Sequence, residues 1–255
     1  MTYQASTEVP VALVPGSGPP RIGNCIARSL AASGYRVVLH ARHSLSEAEA
    51  TAAELRSQGS EAAVVSGDIR DESDVREMTR QALAAFGRID ALVNCAAIWK
   101  AKPLEEVTSA EVREHLETNL LGTFLCCRHV GLVMVAQATG GAIVNLGDWA
   151  MVRPYPDYSA YFASKGAIPT LTRDMAVELG RRNPRVRVNA VLPGPVLLPR
   201  EMPDAERQAV INATLAKREG RPENIADAVL FLLRNDYVTG VCLPVDGGRS
   251  IYAGG

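Results

Sequence analysis

Tyr161 and Lys165, inside the stretch Tyr158-Ser159-Ala160-Tyr161-Phe162-Ala163-Ser164-Lys165, stand four residues apart. On a helix that spacing puts both side chains on one face, one turn from each other. A phenol, with an ordinary pKa near 10, is a poor acid at neutral pH. An ammonium held beside it favours the phenolate, lowers that pKa and suits the phenol to exchanging a proton near pH 7. By itself the spacing also describes many surface helices, so its meaning depends on the elements that position it.

Those elements alternate along the chain. A β-rich apolar run, Val9-Pro10-Val11-Ala12-Leu13-Val14, ends at the turn Pro15-Gly16-Ser17-Gly18-Pro19-Pro20-Arg21-Ile22-Gly23. A helical pattern follows over 22–33, with Gly34 as its stop. Strand, glycine turn and helix in that order suit a nucleotide phosphate: glycines admit the backbone, and the helix N-terminus offers free N–H groups. The next strand, 35–40, runs into Ala41-Arg42-His43-Ser44 without the acidic residue that would hold the ribose hydroxyls of NAD. Arg42, His43 and Ser44 instead supply donors for an additional phosphate, which predicts NADP(H).

Further along, a helix over 46–58 precedes a strand at 62–65 and the segment Ser66-Gly67-Asp68-Ile69. Asp71 reads as the N-cap of a helix through Phe86, and Gly87 stops it. A fourth strand, 89–93, ends in Asn94-Cys95-Ala96-Ala97, small enough to let a flat ring lie against the strand tip. Thr108-Ser109-Ala110-Glu111 is a capping box opening a long apolar helix that carries Asn119. A fifth strand, 142–146, ends at Gly147-Asp148-Trp149, and the helix of Tyr161 comes next. Pro169 lies four residues beyond Lys165 and predicts a kink there. A sixth strand, 186–191, stops at Pro193-Gly194-Pro195; helices at 204–217 and 222–233 and a last strand at 241–245 complete the chain. Continuous apolar strands separated by helices predict a doubly wound α/β domain with a mostly parallel seven-stranded sheet flanked by helices on both faces. Active groups should collect at the carboxyl ends of its strands.

Bulk properties narrow the function classes. The chain has 255 residues, 47% hydrophobic and 22% charged, with a formal charge of −1. That charge offers no field for nucleic acid or an anionic membrane, so neither is expected as a partner. No signal peptide is read at the N-terminus and no apolar run of membrane-spanning length, which makes a cytoplasmic location the expectation. Residues 1–8 are expected to be a flexible lead into one domain at 9–255. The five cysteines lack metal-ligand spacing, so reduced buried thiols and no metal site are expected.

Taken together the chain resembles the short-chain dehydrogenase/reductase family from about Val9 to Ile251. The resemblance is carried by the Gly-rich turn, Asp68-Ile69, Asn94-Cys95-Ala96-Ala97, Asn119, Tyr161-x-x-x-Lys165, Pro193-Gly194 and Asp246-Gly247-Gly248. It implies a single-domain Rossmann-like fold, a homotetramer and hydride transfer to or from a nicotinamide. Tyr161 would be the proton donor, Lys165 would lower its pKa and hold the nicotinamide ribose, and Asn119 would support a proton relay. The implied cofactor contacts are Gly16, Ser17, Arg21, Ile22, Gly23, His40, Arg42, His43, Ser44, Asp68, Ile69, Asn94, Ala96, Ala97, Tyr161, Lys165, Pro193 and Gly194.

Departures from the family pattern sharpen the expectation. Asp148 stands where most members have a serine whose hydroxyl bonds the substrate carbonyl. An ionised carboxylate has no proton to donate there and would repel a developing oxyanion, whereas it suits a substrate presenting N–H groups. In this Asp148, in Arg21 and in Tyr158 the chain is similar to the pteridine reductases and dihydromonapterin reductases, and Trp99 would stack on a flat bicyclic ring. This implies NADPH-dependent reduction of a C=N bond in a pterin-like heterocycle, with Asp148, Trp99, Tyr158 and Arg21 on the substrate. The alternatives are an ordinary carbonyl or alcohol reductase and a noncatalytic dinucleotide-binding protein. Pro19-Pro20 would remove two N–H donors from the phosphate turn, and Cys95 replaces a usual Asn.

Overall fold

The computed structural model describes residues 9–252, so the expectation for residues 1–8 lies outside the described residues. Seven strands form one sheet: β1 (Val11–Val14), β2 (Arg36–Ala41), β3 (Ala62–Ser66), β4 (Ala91–Asn94), β5 (Gly141–Leu146), β6 (Val186–Pro193) and β7 (Cys242–Val245). Their order is β3-β2-β1-β4-β5-β6-β7, and every pairing is parallel, so the sheet is more uniform than expected. The order reverses between β1 and β4, which opens a crevice at the carboxyl ends of those two strands.

Strand alternation feeds two cores. Ala12, Val14, Val37, Leu39, Val93 and Val144 pack on one face with α1 (Ile22–Ala32), α2 (Leu45–Ser57) and α9 (Pro222–Arg234). Val11, Leu13, Val38, Leu92 and Ile143 pack on the other with α3 (Glu72–Phe86), α5 (Gly122–Ala136) and α7 (Ile168–Gly180). Because successive strand residues face opposite sides, covering both faces requires the unbroken apolar runs seen in β1 and β4.

Local signals act where they stand. Asp71 accepts from the N–H groups of Ser73 and Asp74, and Gly87 closes α3 at φ 77°. Thr108 and Glu111 form the capping box of α4 (Ser109–His115). Strand β4 starts two residues later than expected, because Asp90 turns its carboxylate to the N–H of Val11 at 2.9 Å and to Arg88. Helix α8 (Asp204–Asn212) stops short of Lys217, whose φ of 50° is incompatible with a helix.

From Ser109 to Ala136 the helical path is continuous for 28 residues, long and apolar enough to cross a membrane, contrary to the expectation of no such run. Its Leu125, Cys126, Val130 and Met134 enter the core, so here the length and apolarity serve packing inside the domain. Between α4 and α5 the ladder widens into a π turn, Leu116–Leu121, which carries Asn119. Helix α6 (Ser159–Lys165) ends two residues before α7 begins, with Pro169 in the first turn of α7. The break expected from Pro169 is therefore a full separation into two helices.

Candidate active site

The loop after β5 and the short helix α6 bring three chemical groups together. Tyr161 Oη donates to Asp148 Oδ2 at 2.6 Å. Asp148 Oδ1 accepts from the N–H of Ala150 at 2.7 Å, which fixes the carboxyl at the start of a 3₁₀ turn, Trp149–Met151. Lys165 Nζ donates to the carbonyl of Leu146, the last residue of β5, also at 2.6 Å. Tyr161 and Lys165 are both buried.

This geometry reverses one expectation. The phenol of Tyr161 is not lowered by Lys165: burial, then the charge and hydrogen bond of Asp148, hold it well above its ordinary value. Burial likewise raises the Asp148 carboxyl, although its bonds to Tyr161 and Ala150 pull the other way. Burial lowers the Lys165 ammonium to about 8, against the opposing charge of Asp148. Burial dominates, and Asp148 adds to it because the carboxyl touches the phenol while the ammonium is tied to a backbone carbonyl.

Asn119 is wholly buried and holds the neighbouring segments in register. Its amide donates to Ile98 O at 3.0 Å and to Ser164 Oγ at 2.9 Å, and its Oδ1 accepts from Ile98 N at 2.8 Å. Ser164 precedes Lys165, so Asn119 anchors α6 to the loop after β4. A π turn displaces one residue of the helical ladder, which is how a long core helix can give up a side chain for this task.

Trp99 and Tyr158 stack on each other, centroids 4.8 Å apart and planes 12° from parallel. One face of Trp99 is thus taken by protein. Tyr155 meets Tyr158 and Phe162 edge-on at 5.1 and 4.9 Å. Burial and the charge of Asp148 raise its phenol. The sequence reading missed Tyr155. Its signal was density: Trp149, Tyr155, Tyr158, Tyr161 and Phe162 crowd into one short stretch of a chain with 5% aromatic residues.

At the crevice between β1 and β4 the Gly-rich turn is tightly built. Gly16 has φ 82°, and a Cβ there would come within 2.5 Å of the Ala96 backbone. A Cβ on Gly23 would overlap the Gly16 carbonyl. The two prolines lie ahead of α1, and the N-cap residue Arg21 offers no side-chain cap, nor is there an acidic residue in the first turn. The N-terminal N–H groups of α1 thus face no side-chain competitor, and the loss of donors expected from Pro19-Pro20 falls outside them. Exposed Arg21 forms no side-chain hydrogen bond or ion pair among the described residues. Ile22 is half-buried beside it.

Several predicted contacts are committed elsewhere. His40 is buried; its Nδ1 accepts from the N–H of Gly16 at 3.1 Å and its Nε2 lies 3.0 Å from the carbonyl of Gly67, to which it donates. From within β2 its imidazole braces the two loops that carry Gly16 and Gly67 and is committed to them rather than to a phosphate, and burial lowers its pKa. Ser17 is also buried, its hydroxyl bonded to Val14 O and His40 N. Asn94 turns inward, its amide donating to Asn145 Oδ1 and Cys127 Sγ, and Ile69 packs into the core against Gly122. Apart from Asn94 Oδ1, which is buried without a hydrogen-bond partner, these side chains are committed inside the protein, which leaves chiefly main-chain atoms of these residues for a ligand. Arg42 pairs with Asp68 at 3.1 Å, and Asp68 is held bidentately by Arg70, which lowers its pKa. His43 is exposed and Ser44 lies against Gly18, Ala97 is exposed and Ala96 partly so. The N–H of Gly194 is taken by Val245, and a Cβ there would overlap the Asp246 backbone, so Pro193-Gly194 serves the β6–β7 crossing. Among the described residues no cluster of His, Cys, Asp and Glu could hold a metal ion.

Residues 20–250 match the family model described as enoyl-(acyl carrier protein) reductase. The chain is 39% identical to a protein of Streptomyces violaceoruber assigned as ketoacyl reductase 2 of the granaticin polyketide synthase, over 96% of this chain and 97% of that one. It is 35% identical to the human 3-oxoacyl-(acyl carrier protein) reductase, over 92% and 95%. A blue fluorescent protein from a metagenomic library, solved in complex with NADPH, superposes with a TM-score of 0.85 at 33% identity, covering 94% of this chain and 98% of that chain. A likeness that runs the length of the sheet and takes in the loops at its carboxyl edge makes this chain a member of the short-chain dehydrogenase/reductase family of oxidoreductases.

Proposed function

We propose that the protein is an NADP(H)-dependent oxidoreductase that interconverts a carbonyl and an alcohol, with Tyr161 and Asp148 moving the proton. Bound in the β1–β4 crevice, a nicotinamide dinucleotide would supply the hydride donor or acceptor. Gly16, Gly23, Ile22, Arg21 and the N-terminus of α1 would hold its pyrophosphate, and Arg42, His43 and Ser44 the additional phosphate. Lys165, Ala96, Ala97 and Pro193-Gly194 would border the nicotinamide end, and Asp68 the adenine end. The exposed Arg21, the uncapped helix end and the glycine-only contacts support this fit.

One observation carries the reading, the 2.6 Å bond from Tyr161 to Asp148. A phenol raised by burial and by that carboxyl is a weak source of phenolate, so Tyr161 acts best when it never holds the charge. During reduction the phenol gives its proton to the substrate oxygen as the carboxyl of Asp148 replaces it. During oxidation the carboxylate takes the phenol's proton as the phenol takes the substrate's. A carboxyl whose pKa burial has raised is suited to carry that proton. Asn119 keeps α6 in place through Ser164. Steady-state NADPH and NADH oxidation with a panel of cyclic and acyclic ketones tests the proposal: turnover preferring NADPH is expected, and no turnover with any ketone would overturn it.

A second reading, reduction of a C=N bond in a pterin-like heterocycle, is favoured by Asp148 itself and by the Trp99–Tyr158 pair, which offers a flat wall. Dihydropterins in the same panel decide between the two. Under this reading Asp148→Ser lowers pterin turnover and spares ketones. Association into a homotetramer through the long helices is supported by the outward Leu121, Leu132 and Val177, and sedimentation analysis checks it.

A further inference from the structure

Beside Trp149 two arginines lie together with no carboxylate paired to either among the described residues. Arg153 Nη1 donates to the carbonyl of Arg249 at 3.3 Å and to that of Tyr252. Arg249 Nη1 donates to Ala213 O at 3.1 Å, and its guanidinium carbon is 5.0 Å from the centroid of the Trp149 ring. Lys217 Nζ adds a third cation, 4.6 Å from the centroid of Tyr252. Neither arginine forms an ion pair among the described residues, and Arg249 Nε is buried with no acceptor. A guanidinium carries five N–H donors, and the backbone here engages only the Nη1 atoms.

Two adjacent cations with no counter-charge among the described residues repel, and partly burying one of them adds a desolvation cost. Burial and the charge of Arg153 both draw Arg249 below the ordinary arginine pKa. An oxyanion would offset both penalties and accept from the idle N–H groups in the planar, forked geometry that guanidinium offers. Position matters too. Trp149 follows Asp148 directly, and its ring lies 6.2 Å from that of Tyr155, which itself contacts Phe162 beside Tyr161. One aromatic layer therefore separates the arginines from the proton-transfer pair. We infer that Arg153 and Arg249 form the receptor for an anionic group, a carboxylate or a phosphate, at the end of the substrate remote from its reacting carbon. The inference rests on reading Tyr161 and Asp148 as the reaction centre.

The chain has two tryptophans, so Trp99→Phe leaves Trp149 as the sole tryptophan, excited selectively over the tyrosines at the red edge of the absorption band and already in contact with Arg249. In that full-length protein, titration with benzoate and with phenyl phosphate should change Trp149 emission saturably, while neutral benzyl alcohol should not. The stronger of the two identifies the anion. Affinity should fall about tenfold or more in Arg153→Gln and in Arg249→Gln and stay within about threefold in Arg249→Lys. It should be unchanged by saturating NADP⁺, which separates this recess from the pyrophosphate turn. If the glutamine variants do not fold, the parent's affinity must still weaken steeply with salt. Equal response to benzyl alcohol, unchanged affinity in both glutamine variants, or no salt dependence overturns the inference. Neither hydride transfer nor turnover enters the measurement, so failure of every ketone in the kinetic panel would remove the reaction reading and leave this result standing.

Discussion

The phenol of Tyr161 is bonded to Asp148 at 2.6 Å while the other oxygen of the same carboxyl is pinned at 2.7 Å by the N–H of Ala150. Both atoms of the carboxyl are thereby committed, and the phenol's proton already lies on the line along which, in the oxidation direction, it would pass to Asp148. The direction of the Tyr161 shift follows from this contact and from burial.

Removing the charge should reverse part of that shift. In Asp148→Asn an acceptor of similar shape remains without the anion, so the Tyr161 pKa should drop toward its ordinary value. Asp148→Ser should lower it as well. Ultraviolet tyrosinate titration, read as the difference between each variant and its Tyr161→Phe partner, isolates this one tyrosine. An unchanged titration would remove Asp148 as a cause.

Tyr161→Phe deletes the only hydroxyl bonded to Asp148 among the described residues and should cost about 10²- to 10⁴-fold in kcat, the usual size of a general-acid contribution. Loss in kcat with KM nearly constant is the expected split. A loss confined to KM would place Tyr161 in binding alone.

Lys165 links folding to pH. Its folded pKa of about 8 lies below the unfolded value near 10.5, so the folded state binds its proton less readily. Below about pH 8 both states are protonated and this group adds no slope. Between about 8 and 10.5 the unfolded chain holds more protons, and stability should rise with pH. Urea midpoints across this window should rise more steeply for the native sequence than for Lys165→Met.

His40 and Arg42 should part company in cofactor selection. Arg42→Ala should weaken NADPH by roughly tenfold or more while sparing NADH, since a charge-assisted hydrogen bond is worth about 1.5–3 kcal/mol. His40→Ala removes the brace on Gly16 and Gly67, so it should lower stability and weaken both cofactors equally. Thermal melts and the two KM values separate these outcomes.

Gly16→Ala combines a left-handed backbone with a Cβ pressed against Ala96. A destabilisation of roughly 1–3 kcal/mol is expected, measured by urea unfolding, together with loss of NADPH binding.

What could be read in advance follows the range of the forces involved. Buried parallel strands declare themselves as apolar runs, and the caps at Asp71 and at Thr108-Glu111 act on their immediate neighbours, so both were visible. Tyr161 and Lys165 were legible as a pair for the same reason, standing one helical turn apart, whereas Asp148 stood out through the resemblance to a family in which most members carry serine there. The role of His40 was not, because its two partners, Gly16 and Gly67, become neighbours only when β1, β2 and β3 align. The sign of the Tyr161 shift was missed because it depends first on how deeply the phenol is buried and then on which charge touches it. The π turn around Asn119 has no local composition to announce it.

Helix α6 is seven residues long, too short to persist in isolation, where nucleation outweighs what a single turn or two returns. It is cut from α7 and moored by Asn119 to Ser164 and by Lys165 to Leu146. On warming, those moorings should release ahead of the sheet, so catalytic competence would disappear several degrees before the far-ultraviolet signature of the domain, and this short segment would set the working ceiling.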